Sequence, residues 1–180
     1  MTAAKKYVPH YTVDDYRLWQ GDWELWNGTA VAMTPSPFGR HQALASRLFV
    51  ALQNELKAAE CRAEAIYELD WIISDNTVVR PDVMVICGGI PDEHLRETPA
   101  LVAEVISEST ATRDRTYKRD LYDEQGVDVY VLLDPDARTL EVYQRDPAGA
   151  WQHQRVSGAI EFQLCDSCQI HLESATLLAR

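Results

Sequence analysis

Two acidic residues interrupt segments whose composition predicts buried β-strands: Asp82 follows Val79-Arg80-Pro81, and Glu104 lies within residues 101–106. A buried charge is costly unless it is paired, and a divalent metal ion is a common partner for two carboxylates. Mg²⁺ or Mn²⁺ held by hard oxygen ligands polarises a phosphate and lowers the pKa of a bound water. Asp82 and Glu104 therefore predict a metal site for phosphodiester hydrolysis, if their side chains converge on one face of the sheet.

A lysine, Lys118, follows in the next predicted helix, where it shares a face with Leu121 and Tyr122. We expect Leu121 and Tyr122 to point at the sheet, so the ammonium group would reach the two acids. There it would orient the attacking water and neutralise developing negative charge. A lysine that extends along the helix into solvent is equally compatible with this spacing.

Two further polar residues are candidates for the same site. Glu24 lies between Trp23 and Leu25 in a short apolar strand, and taken alone this pattern favours an exposed face over a ligand to metal or water. His41 begins the long predicted helix, where an imidazole could bind a phosphate or hold a carboxylate in place. Most histidines at such positions are only partly exposed polar residues.

The composition limits the class of protein. The 180 residues, 46% of them hydrophobic, suffice for a single domain over residues 1–180. Residues 1–10 lack the apolar stretch of a secretory signal, and no run is long enough to span a bilayer, so we expect a soluble, cytoplasmic protein. The net charge of −11 argues against non-specific attachment to nucleic acid through a basic surface.

Any positive charge for a nucleic acid must therefore be local. It would come from a metal ion, from a partner subunit or from a cluster on the helix that carries Lys118. For most members of that cluster a solvated helix face is the simpler interpretation. The cluster comprises Arg113, Arg115, Lys118 and Arg119.

The four cysteines are Cys61, Cys87, Cys165 and Cys168. Their scatter through a chain without an export signal predicts reduced thiols. Cys165 and Cys168 with His171 could hold zinc, but a structural site requires four ligands and the sequence offers no second pair.

The segments that position these residues alternate between helix and strand. A capping box at Thr12 and Asp15 opens a short helix, and Asn27-Gly28 predicts a β-hairpin between residues 23–26 and 29–33. The predicted helices then cover residues 41–59 and 112–125, the second capped by Ser109 or Thr110 and ended by Gly126, with a short helix after Ser174. The predicted strands cover residues 63–73, 78–86, 101–106, 127–133, 139–144, 151–156 and 160–164. This order predicts an α/β (α+β) fold with an αβββαβ core, an N-terminal hairpin and a C-terminal β-meander.

Taken in order, several short motifs resemble the Uma-type family of restriction endonucleases, which belongs to the PD-(D/E)XK nuclease superfamily. The motifs are Glu24-Leu25-Trp26-Asn27-Gly28, His41 opening a helix, Val79-Arg80-Pro81-Asp82-Val83, residues 101–107, Lys118 with Tyr122, Gly126-Val127, and Tyr130 through Asp134-Pro135. The resemblance covers nearly the whole chain, from about Tyr11 to the last helix. It implies a restriction-endonuclease-like mixed sheet with Pro81-Asp82 as the first acidic motif and Glu104 as the second.

The resemblance also implies roles for single residues. The superfamily usually has a lysine two positions after the second acid, where this chain has Ile106. Lys118 in the following helix is expected to take its place. Asp82 and Glu104 are the implied ligands of Mg²⁺ or Mn²⁺, and Glu24 is an assisting acid. We assign His41 and Tyr122 to substrate binding.

The leading hypothesis is a Mg²⁺-dependent endodeoxyribonuclease with DNA as its substrate. The acidic surface and the missing strand lysine favour an alternative, a nuclease-derived fold that binds a partner or nucleic acid without cutting. A third hypothesis is a metal-dependent hydrolase of small phosphoesters. Five tryptophans and eight tyrosines supply the kind of surface that interfaces use, so we also expect a homodimer.

Overall fold

The computed structural model describes residues 8–33, 39–165 and 167–179; Pro35 and Pro37, expected to break the pattern, lie outside this range. Within it the helices are α1 (Val13–Tyr16), α2 (Gly39–Ala58), α3 (Ala111–Arg113), α4 (Arg119–Glu124) and α5 (Ser174–Leu177), with a π-helical segment, Asp114–Lys118, between α3 and α4. The strands are β1 (Trp23–Trp26), β2 (Thr29–Ala32), β3 (Ala63–Tyr67), β4 (Trp71–Ser74), β5 (Thr77–Val79), β6 (Val83–Cys87), β7 (Leu101–Val105), β8 (Val129–Asp134), β9 (Thr139–Arg145), β10 (Trp151–Val156), β11 (Ala159–Leu164) and β12 (Cys168–Glu173).

A six-stranded sheet forms the centre of the fold, in the order β10-β9-β8-β7-β6-β3. Only β7 and β8 are parallel among its neighbouring strands, and the helical segment from α3 to α4 connects them as a crossover. Along the chain, α2, β3, β6, β7, the crossover helix and β8 give the predicted αβββαβ order. The predicted α+β class and the antiparallel extension through β9 and β10 are therefore confirmed.

The two faces of this sheet bury different partners. On one face α2 packs through leucines that recur every four residues, and β11 and β12 cover the same cluster. The four leucines are Leu44, Leu48, Leu52 and Leu56. The opposite face packs against the crossover helix through Tyr122 and against Trp71 of β4. Both faces of β7 and β8 are thus buried, which explains their nearly continuous apolar sequences.

Two segments that we predicted as single strands divide between two sheets. Residues 63–73 separate into β3 and β4 near Glu68, which has a left-handed φ of 48°. Residues 78–86 separate into β5 and β6 around Pro81, which has no N–H to give to a ladder. The β4–β5 hairpin joins β1 and β2 in a second sheet, ordered β2-β1-β5-β4. The prediction of continuous strands was wrong, and the break at Pro81 brings Asp82 close to β1.

The crossover helix also differs from the prediction. We expected one α-helix over residues 112–125, but the π-helical segment interrupts it between α3 and α4. The N-cap residue Thr110 makes no side-chain capping bond, whereas Gly126, at a φ of 80°, ends the helix as predicted. A π-helical turn contains an additional residue, and such turns are frequent at functional sites.

The cysteines are paired, so the prediction of reduced thiols was wrong. Cys61 bonds to Cys168 and Cys87 bonds to Cys165, with Cα–Cα separations of 5.5 Å in both pairs. Both bonds attach the β11–β12 hairpin to the main sheet and its covering helix.

Disulfides are typical of oxidising compartments, so the cytoplasmic location stays a prediction. No helix within the described ranges is both long and apolar enough to cross a membrane.

The packing of α2 can be tested with two truncations in one helix. Leu48 is fully buried, whereas Val50 is 52% exposed. Leu48→Ala should lower the free energy of unfolding by about 2–5 kcal/mol, because it removes buried methyl groups and leaves a cavity. Val50→Ala should change it by no more than about 0.5 kcal/mol. Urea unfolding curves measure both, and equal effects would contradict the assignment of the buried face.

The disulfides can be tested by counting thiols. The unreduced protein, once denatured, should expose no reactive thiol, and reduction should release four. Replacing both Cys61 and Cys168 by alanine should lower the free energy of unfolding by about 4 kcal/mol, because the bond closes a long loop in the unfolded chain. This difference from the parent should largely disappear in reducing buffer. Four reactive thiols before reduction would rule out the pairing.

Candidate functional site

A cleft of about 430 Å³ opens where the carboxyl end of β7 meets α2, β1 and the crossover helix. Six carboxylates line it: Asp22, Glu24, Glu68, Asp82, Glu104 and Asp114. Two of the cations in its wall are His41 and Lys118. The structure therefore brings five of the six predicted site residues to one cavity; Tyr122 is the exception and lies behind the wall.

Strand pairing explains why Asp82 and Glu104 meet. In the antiparallel pair of β6 and β7, Val83 lies opposite Ala103 and Met84 opposite Val102. Continuing this register by one residue places Asp82 opposite Glu104. Both side chains belong to the sheet face that packs against the crossover helix, because alternate residues of a strand share a face. The two acids thus converge as the sequence predicted, although they are 22 positions apart.

Lys118 is a buried cation shared by two carboxylates. Its Nζ lies 2.8 Å from Oε1 of Glu104 and 3.0 Å from Oε1 of Glu24. All three side chains are almost inaccessible to solvent. The Tyr122 hydroxyl donates a second hydrogen bond of 2.7 Å to Oε1 of Glu104. Lys118 therefore faces the site, and the alternative of a lysine extended into solvent is wrong.

Glu24 is buried, contrary to the exposed face that its strand pattern favoured. Its Oε1 also accepts the backbone N–H of Arg80 at 2.9 Å, and its Oε2 accepts the indole N–H of Trp26 at 3.0 Å. Both oxygens are thus occupied by protein donors. This carboxylate connects β1 to Lys118 and to the chain just before Pro81-Asp82, so its contacts suit a positioning residue better than a metal ligand.

His41 and a backbone amide hold Asp82. The N–H of Val105 donates to Oδ2 of Asp82 at 2.7 Å, and Nε2 of His41 lies 3.2 Å from the same oxygen. Burial would lower the pKa of His41, but the hydrogen bond and charge of Asp82 raise it above its ordinary value. The neighbouring carboxylate therefore favours the protonated imidazole. Of the two roles considered for His41, these contacts match the one in which it holds a carboxylate.

The carboxylates outnumber the cations, and the electrostatics reflect this excess. Burial raises the pKa of Glu104 to about 8; the charge of Lys118 opposes the rise, while Asp114, Asp82 and Glu24 add to it. At Lys118, burial lowers the pKa and the surrounding acids raise it. The acids have the larger effect, so the pKa of Lys118 lies above its ordinary value. The ammonium group therefore stays charged, and the cleft retains uncompensated negative charge.

Sequence analysis missed Asp114 as a site residue. It lines the cleft with 1% of its surface exposed, and its Oδ1 has no hydrogen-bond partner among the described residues. Burial raises its pKa, and Lys118 opposes the rise. Its position four residues before Lys118 on one helix face was the available signal. Both residues lie in the π-helical segment, so the irregular turn supplies two charged groups to the cleft.

The other basic residues of the crossover helix have separate partners. Arg115 pairs with Glu141 at 2.7 Å, and Arg119 pairs with its neighbour Asp120 at 2.6 Å. Neither lines the cleft. These two residues are partly exposed and outside the cleft, whereas Lys118 and Arg113 belong to the cleft wall.

The donor set fits a Mg²⁺ or Mn²⁺ ion that keeps several positions for water and substrate. The hydrogen bonds of Asp82 and Glu104 fall on Oδ2 and Oε1, and their other oxygens accept none from the described residues. Nowhere in residues 8–33, 39–165 and 167–179 do three His, Cys, Asp or Glu side chains form a ready-made metal cage. Mg²⁺ is usually held by one or two carboxylates plus water and substrate oxygens, so Asp82 and Glu104 match its preference.

Tyr122, assigned to substrate binding, is fully buried and is not among the residues that line the cleft. Its ring packs on Trp71 and Tyr130, with centroids 5.9 and 5.1 Å away. The hydroxyl reaches the site only through Glu104. These contacts indicate that it orients the carboxylate, and the substrate-binding role stays a prediction.

The comparisons with known proteins agree with the fold. The sequence profile of the Uma2 family, described as "Putative restriction endonuclease", matches residues 13–176. A solved structure from Anabaena variabilis, titled as a "putative nuclease belonging to DUF820", superposes with a TM-score of 0.75 at 20% identity, covering 93% of this chain and 97% of that one. No curated protein matches the sequence. Because the family profile spans almost the whole chain, the protein belongs to the Uma2 family.

Proposed function

We propose that the protein is a metal-dependent endonuclease that hydrolyses phosphodiester bonds in DNA. The observation that carries the proposal is the convergence of Asp82, Glu104 and Lys118 on one acidic cleft, with Lys118 Nζ 2.8 Å from Glu104. Membership of a family described as a restriction endonuclease supports a nuclease. The choice of DNA, the metal requirement and a homodimeric state are parts of the proposal.

Asp82 and Glu104 would hold a Mg²⁺ or Mn²⁺ ion through their remaining carboxylate oxygens. When bound, the ion would neutralise charge on the phosphate and lower the pKa of a coordinated water. The protein keeps both ligands in place before the ion arrives. His41 and the N–H of Val105 fix Asp82, while Lys118 and Tyr122 fix Glu104. Preorganisation of this kind lowers the entropic cost of assembling the reacting groups.

Lys118 would orient the attacking water and balance the charge that develops on the phosphate. Its ammonium group carries three N–H donors, and Glu104 and Glu24 accept two of them. The third donor remains for a water or a phosphate oxygen. Glu24 assists indirectly because it accepts from both Lys118 and the backbone of Arg80, which holds the helix and the Asp82 motif at a fixed distance.

The metal ligands can be tested by removing charge without changing shape. Asp82→Asn and Glu104→Gln should each reduce Mg²⁺-dependent cleavage of plasmid DNA by about 10²-fold or more, because an amide is a poorer ligand for a hard cation. Cleavage followed on agarose gels over a range of Mg²⁺ concentrations measures the loss.

Two exposed acids provide the matched controls. Asp92→Asn and Glu93→Gln make the same chemical changes outside the cleft and should leave cleavage unchanged. If the site variants cleave plasmid DNA as well as the controls do, Asp82 and Glu104 are not the metal ligands. A parent protein that leaves DNA intact with Mg²⁺ and with Mn²⁺ would reject the proposed function.

The raised pKa of Glu104 predicts how metal binding depends on pH. The metal binds the ionised carboxylate, and the ionised fraction increases as the pH rises through about 8. Below that pH, Mn²⁺ affinity should therefore rise about tenfold per pH unit and then level off. Titration calorimetry in buffers of different ionisation enthalpy would measure the affinity and the proton released on binding. Affinity that is constant between pH 6 and 9 would contradict a Glu104 ligand, and Glu104→Gln should remove the pH dependence.

A further inference from the structure

Arg113 is the cleft cation without a carboxylate partner. Four cations line the cleft, namely His41, Arg80, Arg113 and Lys118. His41 lies beside Asp82, Lys118 is shared by Glu24 and Glu104, and Arg80 pairs with Asp70 at 2.6 Å and Asp22 at 2.8 Å. Arg113 makes no ion pair or hydrogen bond with any residue in the described part of the chain, although six acids line the same cavity.

An aromatic stack holds this guanidinium group in place. Its Cζ lies 5.9 Å from the ring centroid of Trp26, and Trp26 is itself stacked on Tyr117 with centroids 4.4 Å apart. A cation over a ring face is attracted to the ring electrostatically, and this interaction does not require its N–H donors. Trp26 is in turn fixed by its hydrogen bond to Glu24. Arg113 is therefore positioned without using its donors.

One of those donors is already removed from water. Nε of Arg113 is buried and has no hydrogen-bond partner among the described residues. Leaving this donor unsatisfied costs free energy, and a ligand cannot reach it because the atom is buried. A ligand in the cleft would instead bind the Nη groups, which are not among the buried donors. A planar guanidinium matches two oxygens of a phosphate, and such pairs are short and strong. The unpaired donors of Arg113 therefore suit a phosphate group.

We propose that Arg113 forms a phosphate-binding subsite in the wall of the cleft and contacts a phosphate of the nucleic-acid substrate. This inference deepens the proposed endonuclease and rests on its choice of substrate. Arg113 comes three residues after Thr110 and directly before Asp114, so the same helical segment supplies a contact for the phosphate backbone and faces the metal-binding acids. Because each other cation of the cleft lies beside a carboxylate, Arg113 adds attraction for a polyanion to that of the proposed metal ion.

Salt dependence of binding tests the subsite. Anisotropy of a short fluorescent DNA duplex would be measured over a series of KCl concentrations, with Ca²⁺ replacing Mg²⁺ to limit cleavage. Arg113→Gln should weaken binding about tenfold and reduce the slope of log K against log salt by about 0.9, the value for one lost phosphate contact. Arg113→Lys should keep the slope, because the charge remains. It should bind the duplex more weakly than the parent, because lysine lacks the planar fork of N–H donors.

The matched control is Arg96→Gln, which removes one charge from an exposed arginine outside the cleft and should change neither affinity nor slope. Thermal unfolding would show that each variant is folded, and Arg113→Lys gives a second, milder test. An Arg113→Gln slope equal to that of the parent would overturn the subsite even if the parent cuts DNA. Arg113-dependent binding without cleavage would retain the subsite and overturn hydrolysis. A parent protein that does not bind the duplex would overturn both.

Discussion

The buried lysine at the centre of the site is the interaction on which the rest of the arrangement depends. Glu24 belongs to the small sheet, Glu104 to the main sheet and Lys118 to the crossover helix, and one ammonium group contacts both acids at 2.8 to 3.0 Å. Burying three ionisable side chains is expensive, and apolar residues of similar size would often be as stable. Removal of one member would leave an uncompensated charge. A contribution to stability therefore does not explain this network. Its geometry suits a site that must present charged groups in fixed positions.

The same network explains why the chain breaks its strands where it does. Pro81 lies at the junction where the chain leaves β5 in one sheet and enters β6 in the other, and the backbone N–H of Arg80, just before it, donates to Glu24. Asp82 then emerges at the start of β6, where the register places it opposite Glu104. A continuous strand would have kept this segment within one sheet. The bend therefore lets residues from two sheets contribute to one cavity.

Much of this could be predicted from sequence because the signals were local or periodic. The leucines of α2 recur with the helical period, Asn27-Gly28 marks the first hairpin, and the acids in β6 and β7 stand out against apolar neighbours. The location of Glu24 could not be predicted in this way. Alternation assumes one face in water, whereas the paired burial of Glu24 and Leu25 shows that β1 is covered on both sides.

Other features depend on long-range pairing or on a local irregularity. The cysteine pairs are 107 and 78 positions apart, so spacing along the chain carried no information about them. The sequence pattern favours a solvated helix face for Arg113 and gives Asp114 no role in the site, although Asp114 lies four residues before Lys118. The π-helical segment changes which residues face the cleft, and no propensity rule indicated a π turn at Asp114–Lys118. At these positions tertiary contacts, and not local sequence patterns, determine the structure.

Charge balance would couple binding of the proposed metal ion to binding of the proposed nucleic-acid substrate. The cleft is lined by six carboxylates and by three residues with permanent positive charge, Arg80, Arg113 and Lys118, while the whole chain carries −11. A phosphate approaching this wall is repelled unless the local charge changes, and repulsion is strongest where burial reduces screening. A divalent cation at Asp82 and Glu104 would remove most of the excess, and the phosphate would then complete the coordination of that cation. Metal and substrate binding would therefore reinforce one another, and the proposed nuclease would accommodate a polyanion without a basic surface.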